Sequence, residues 1–229
     1  MKKRILAVIA LTFSAIVSAP ASAVAIYSTL GDGNTFLMPH NVSHDEISGQ
    51  VPRTFTDLNW AMAWTPSLDA VVTGIDIGLS LGDQFSVVDE NVAQVFLHSE
   101  VGGRPGAIID SYIFTNLTSE TLGGALESAA SSLNPMVMAG VTYWVSLSAG
   151  LPANGLYSQV GWHSNDQGVT GARAFQEDNG VWRAAVTGRQ SAFRISGTTM
   201  SVPEPATLAL FGLGLAGLGY VQRTSRRVA

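Results

Sequence analysis

The chain predicts an all-β fold, an antiparallel β-sandwich with the jelly roll as candidate topology. Two observations carry this. Short apolar runs alternate with polar residues at period two, which is the signature of half-buried strands. Glycine-, proline- and asparagine-rich turn signals separate them at short intervals. Of the central residues, only Ser119–Leu133 reads as a weak helical segment.

Taken in order, residues 24 to about 50 read as irregular, and Trp60–Trp64 is the first strand. Trp60, Met62 and Trp64 share one face there, as large aromatics of a sandwich core do. In Val71–Leu81 the residues Val71, Ile75, Ile77, Leu79 and Leu81 share one face, and Gly74, Asp76, Gly78 and Ser80 the other. Val92–His98 and Ile108–Thr115 follow, separated by Gly102-Gly103-Arg104-Pro105-Gly106. In Val141–Ser148, Val141, Tyr143, Val145 and Leu147 face inward, which leaves Trp144 on the outer face. Leu156–His163, Ala172–Glu177, Val181–Val186 and Ala192–Gly197 complete the set. Asp178-Asn179-Gly180 between two of these runs is a hairpin signal. The organisation expected is a signal peptide over 1–23, the β-domain over 24–197, a polar linker over 198–201 and a C-terminal signal over 202–229.

Both ends carry membrane chemistry. Lys2, Lys3 and Arg4 precede an apolar stretch from Ile5 to Val17, and Ala21-Ser22-Ala23 is a small-x-small cleavage site. This is a secretory signal peptide, with Ala21 and Ala23 flanking the expected cut. At the other end Val202-Pro203-Glu204-Pro205 is followed by an apolar run over Ala206–Val221, then Arg223, Arg226 and Arg227. A helix over that run is about 24 Å long at ~1.5 Å per residue, marginal for a ~30 Å hydrocarbon core. Snorkelling arginines extend its reach, and four glycines weaken it as a permanent anchor. The arginines set the topology: tail in the cytoplasm, main domain outside.

This three-part ending resembles the PEP-CTERM sorting signal of Gram-negative bacteria. The resemblance implies recognition by an exosortase, cleavage near Pro203-Glu204-Pro205 and delivery to the cell surface or beyond. It also implies association with exopolysaccharide and biofilm matrix. The protein would be that enzyme's substrate.

Composition excludes some partners. The whole chain carries a formal charge of −5, but six of its twelve basic residues lie in the two signals. Residues 24–202 hold six arginines, no lysine and sixteen acids, a formal charge of −10. Phosphate backbones repel such a domain, so nucleic acid is not an expected partner. There is no cysteine, so core burial must supply the stability.

The strands themselves resemble a second family. Trp60-Ala61-Met62-Ala63-Trp64-Thr65-Pro66, Val95-Phe96-Leu97-His98, Gly103-Arg104-Pro105-Gly106, Ala139–Val145 and Ala192–Gly197 carry the likeness. The pattern is similar to the choice-of-anchor type of extracellular bacterial domain, R subgroup. It implies a surface domain without assigned chemistry.

Catalytic motifs are sparse. His40 and His44 are four apart, but Pro39 and Asn41-Val42-Ser43 read as loop and there is no His-Glu-x-x-His frame. His98 reads as a satisfied residue at a strand end. Asp89-Glu90 and Glu177-Asp178 are adjacent acids, whereas glycoside hydrolysis needs two carboxyls ~5–9.5 Å apart across a sugar. Gly31-Asp32-Gly33-Asn34 holds the start of a calcium loop without its later ligands. No cofactor is expected, with calcium the one candidate. Trp144, Trp162, His163 and Asp166 are candidates for glycan contact, through ring stacking and a polar cluster.

The function expected is a non-catalytic, exported surface or matrix protein acting in adhesion or exopolysaccharide association. Its partners would be the secretion machinery and exosortase, the membrane through the C-terminal span, and an exopolysaccharide or surface protein. The alternatives are a secreted carbohydrate-active enzyme and a calcium-dependent protein-interaction module.

Overall fold

The structure is a computed structural model that describes residues 22–44, 59–81, 92–119, 123–149, 158–176, 180–183, 186–200 and 212. The cleavage-site Ala21, the sorting residues Val202–Pro205, the apolar run apart from Gly212, and Arg223, Arg226 and Arg227 lie outside the described residues. So do both adjacent acid pairs.

Among the described residues thirteen strands form two antiparallel sheets, and residues 22–200 contain no described helix. One sheet runs β1 (Val24–Ser28), β13 (Phe193–Thr199), β4 (Ala70–Leu81), β10 (Ser158–Asn165), β2 (Phe36–His44). The strands β7 (Ala125–Ala130) and β8 (Met136–Val137) pair with β4 outside this path. The other sheet runs β12 (Val186–Arg189), β11 (Thr170–Gln176), β3 (Asn59–Trp64), β9 (Tyr143–Ala149), β5 (Val92–Val101), β6 (Arg104–Thr115). One core fills the space between them, drawn from both inner faces, with Met62, Ile77, Leu79, Leu97, Leu147, Trp162, Phe193 and Ile195 fully buried.

Both edges of β4 are used. Leu79 pairs with Trp162 and also with Ala125, and Ala70 pairs with Thr199 and also with Val137. A strand residue has one neighbour per side, so β13 and β10 share one edge while β8 and β7 share the other. Within β4 the inward set is Ala70, Val72, Ile75, Ile77, Leu79 and Leu81. Val71 therefore faces outward, contrary to the simple alternation. The cause is a bulge: Ser196 pairs with Gly74 and Gly197 with Val72, so Thr73 is the extra residue and the phase flips across it.

Four further expectations are corrected. Residues 24 to 50 contain two strands, β1 and β2. Pro39 in β2 breaks the sequence signal, but among the described residues β2 is an edge strand paired only with β10, where a missing N–H is tolerated. The helical segment is β7: Gly123 and Gly124 adopt φ of 87° and 71° before it, and the open edge of β4 takes Ala125–Ala130 as a ladder. Tertiary pairing overrides the helix propensity of Ala-Leu-Glu. Of the described residues 180–183, Trp182 pairs in a single bridge to Gln176, and the strand proper is β12, which begins at Val186 opposite Arg173. Val141 lies outside β9 and is exposed. The hairpin β5–β6 turns on Gly102 and Gly103, whose φ of 59° and 76° fit a two-residue primed turn.

Two crossings between the sheets are pinned by amides. Asn165 ends β10; its Oδ1 accepts from Val169 N at 2.8 Å, and its Nδ2 donates to the carbonyls of Val169 at 2.9 Å and Gln190 at 2.5 Å. Gln190 links β12 to β13; its Nε2 donates to the Ala63 carbonyl and its Oε1 accepts from the Tyr27 hydroxyl. Asn165→Ala would orphan these buried groups, and we expect a loss of about 2–3 kcal/mol in denaturant unfolding. Burial raises the Tyr27 pKa to about 12, partly offset by the Gln190 bond. The raised value means the protonated phenol stabilises the fold below pH ~10, and this contribution is lost as pH rises toward 12. Alkaline titration of unfolding should show that loss, and Tyr27→Phe should remove it.

Candidate functional site

The outer face of the six-stranded sheet holds a groove of 460 Å³. Alternation and register build it. On β3, Met62 and Trp64 point inward, so Asn59, Ala61 and Ala63 point out; on β9 the outward set is Trp144, Ser146 and Ser148. On β5 it is Gln94, Phe96 and His98. The register aligns Ala61, Ser146 and Phe96 in one row and Ser148 with Gln94 in the next. Gln176 pairs with Asn59 at the β11 side, and Gly106 and Ile108 of β6 close the other. Small Ala61 and Ser146 keep the floor low between larger neighbours. Trp182, placed by its bridge to Gln176, stands at the wall.

Among the described residues the groove is polar and carries no fixed charge. Its lining combines the amides of Asn59, Gln94 and Gln176 with the hydroxyls of Ser146 and Ser148, and none of its lining residues is acidic or basic apart from His98. Asn59 Nδ2 donates to Gln176 Oε1 at 3.1 Å, and Gln176 Nε2 donates to the Gly180 carbonyl at 2.6 Å, which fixes both amides. His98 is 5% exposed. It lies edge-on to both Phe96 and Trp182, with centroids 6.2 and 6.1 Å away. Its Nδ1 lies 3.1 Å from the Gly106 carbonyl, which only a donor can satisfy, so Nε2 is the acceptor for the Ser146 hydroxyl at 2.8 Å. Burial lowers the His98 pKa below the ordinary 6.5, against a smaller opposing effect of the Gly106 bond. His98 thus sits inside β5 and inside the sheet, rather than at a strand end.

Serine beside histidine has the spacing of a nucleophile and its base. Acyl transfer also needs free donors for the oxyanion. Ser146 is 2% exposed in the middle of β9, whose two edges are both paired, to β3 and β5. The ladder N–H groups around Ser146 are thereby committed to the sheet. The pair is suited to holding His98 neutral and fixed.

The residues singled out from sequence scatter. Trp144 is on the outer face as expected but only 1% exposed, packed with Ala61 and Ala174 and against Trp182, so it offers no sugar-stacking surface. Trp162 is wholly in the core, its Nε1 donating to the Ala192 carbonyl at 3.3 Å. The causes differ: Ala61 and Ala174 leave volume that the Trp144 indole fills, whereas Trp162 falls on the inner face of β10, opposite Leu79 and against Phe193. His163 faces the other sheet's outer side, its ring tilted 51° to Phe36 with centroids 4.6 Å apart and Nδ1 donating to the Leu37 carbonyl at 2.7 Å. Asp166 caps a surface turn, where hydrogen bonds from Thr35 and Gln167 hold its carboxyl below the usual range. None of the four lines the groove.

His40 and His44 lie in β2, where extended geometry sets their Cα atoms about 13 Å apart and removes the helical approach a shared metal requires. Asn34 closes the 31–34 turn onto Gly31 and accepts from Arg194 at 3.1 Å. Among the described residues no three His, Cys, Asp or Glu converge on a metal position.

Residues 201–227 match the family described as the PEP-CTERM protein-sorting motif. The match covers the tripartite ending and supports the class of exosortase substrates. No curated protein matches the chain.

The histidine makes a pH prediction. Because its folded pKa is lowered, His98 contributes stability above pH ~6.5 that is lost as pH falls through the folded value. Imidazole NMR should place its titration below that of a model histidine, and Ser146 should release its bond as the ring protonates.

Proposed function

We propose that this is an exported, exosortase-processed surface or matrix protein whose non-catalytic β-sandwich associates with exopolysaccharide through the groove on the six-stranded sheet. The observation that carries it is the sorting motif at 201–227. The groove supplies the binding half. Amides offer donors and acceptors together, aromatic edges offer apolar contact, and the described lining residues carry no fixed charge. That combination suits an uncharged, hydroxyl-rich sugar, and the volume falls within the range of ~300–1,000 Å³ typical of ligand sites. The acidic domain around it favours neutral over anionic polymers. A likeness of the domain to the choice-of-anchor type, and a jelly-roll topology for its two sheets, belong to this proposal.

A secreted carbohydrate-active enzyme is the second reading. It needs two carboxyls across a sugar, and among the described residues the groove lining provides none. A calcium-dependent interaction module is the third.

Two experiments test the proposal. Purified protein should bind an uncharged exopolysaccharide fraction saturably, without shortening it and equally with calcium or chelator. Asn59→Ala with Gln176→Ala, or Trp182→Ala, should weaken binding about tenfold, the loss of one or two such contacts. Shortened polymer would favour the enzyme, and loss of binding with chelator the calcium module. In a host that has an exosortase, the C-terminus should be trimmed. Replacing Pro203, Glu204 and Pro205 by alanine should leave the chain full-length in the inner membrane.

A further inference from the structure

Three segments meet at the end of the sandwich where the chain leaves β13. Ala70 pairs with Thr199 on one side and with Val137 on the other. Met200 N donates to the Asp69 carbonyl at 3.3 Å, Ala139 N to Asp69 Oδ1 at 2.7 Å, and Gly140 N to the Pro66 carbonyl at 3.0 Å. The loops so gathered expose large apolar side chains. Leu68 is 51% exposed, Leu133 67%, Met136 61%, Met138 56%, Val141 42% and Met200 43%. Across 65–69, 131–142 and 198–200 the only charged residue is Asp69, and its carboxylate is turned to a backbone N–H. The neighbouring β5–β6 hairpin, with Glu100 and Arg104, gives this end a charged rim. A charge-poor apolar end is conspicuous on a domain whose residues 24–202 carry a formal −10.

The tether is short. Met200 directly precedes the sorting motif that starts at residue 201, and the apolar run starts at Ala206. From Met200 to Ala206 the six steps span at most ~21 Å at ~3.5 Å each. Whatever face carries Met200 is therefore held near the bilayer. Anionic headgroups repel the acidic remainder of the domain, whereas methionine and leucine side chains partition favourably into the interface.

We propose that this apolar end docks on the outer leaflet of the membrane while the C-terminal segment is still attached, holding the domain in one orientation with the Pro203–Pro205 motif at the lipid surface. This rests on the reading of 206–221 as a membrane segment. The membrane contact would be lost on cleavage, because no covalent tether would then raise the local lipid concentration.

The test uses the full chain reconstituted in phosphatidylethanolamine–phosphatidylglycerol vesicles. The natural chain has no cysteine, so Met138→Cys and, at the far end of β6, Thr115→Cys each take one fluorophore. Lipids brominated near the headgroup should quench the label at 138 about twofold or more over that at 115, and a companion Leu133→Glu, Met136→Glu substitution should abolish the difference. Vesicle flotation reports the span separately. A chain that floats with equal quenching at both sites overturns the docking and leaves the span standing. A chain that does not float overturns the span reading and the docking with it. Energy transfer between chains at 138, without lipid quenching, would assign the patch to a second copy and also overturn the proposal.

Discussion

Ala70–Leu81 hydrogen-bonds along both edges, to β13 and β10 on one side and to β8 and β7 on the other, so four strands take their positions from one. The inward apolar set of β4 is continuous only because Thr73 is bulged, which brings Ala70 and Val72 into phase with Ile75 through Leu81. Without that extra residue one half of the strand would turn its apolar side to solvent. Glycine serves the same strand from outside: a Cβ on Gly124 would come within 2.7 Å of the Leu79 carbonyl and collide with His163, and Gly124 has positive φ as well. The entry of β7 onto the edge of β4 depends on that position.

The sheets are tied by polar groups that behave as backbone. Asn165 and Gln190 close two crossings, and Thr29 Oγ1 extends the β1–β13 ladder by bonding the Ser191 carbonyl at 2.8 Å and Phe193 N at 2.9 Å. Asp110, fully buried on β6, accepts from Ser131 at 2.5 Å and from Ser111 N at 2.9 Å, and so fastens the loop after β7 across the sandwich. Buried polar atoms cost several kcal/mol unpaired and contribute modestly when paired, so such groups specify the arrangement more than they deepen it. The partly exposed Arg194–Asp76 ion pair at 2.7 Å adds at most about 1 kcal/mol.

The strands that were legible in sequence are those with one wet face and one dry. β3, most of β4, β9 and β13 alternate clearly, and their turns carry glycine or asparagine. β2 was hidden by Pro39 and by polar residues on an edge strand, and β7 by residues that favour a helix in isolation. The groove left no motif at all. Its polar groups come from β3, β5, β9 and the stretch around 176–182, distant in sequence and individually ordinary. Only the register brings them together. The tryptophans misled for a related reason: an outward position on a strand does not mean exposure when alanines surround it and another indole packs on top. The address at the C-terminus was legible because it is read as a linear segment, independent of folding.

One feature of the sheet order bears on force. Val24 pairs with Gly197 and Ser28 with Arg194, so β13 lies between β1 and β4 with ladders on both sides. Any pull transmitted through residue 200 enters at the end of this interior strand. It loads two ladders together, whereas a pull on an edge strand would peel one. A domain held from that end can carry tension at its anchor point while its opposite sheet, and the groove on it, stays undeformed.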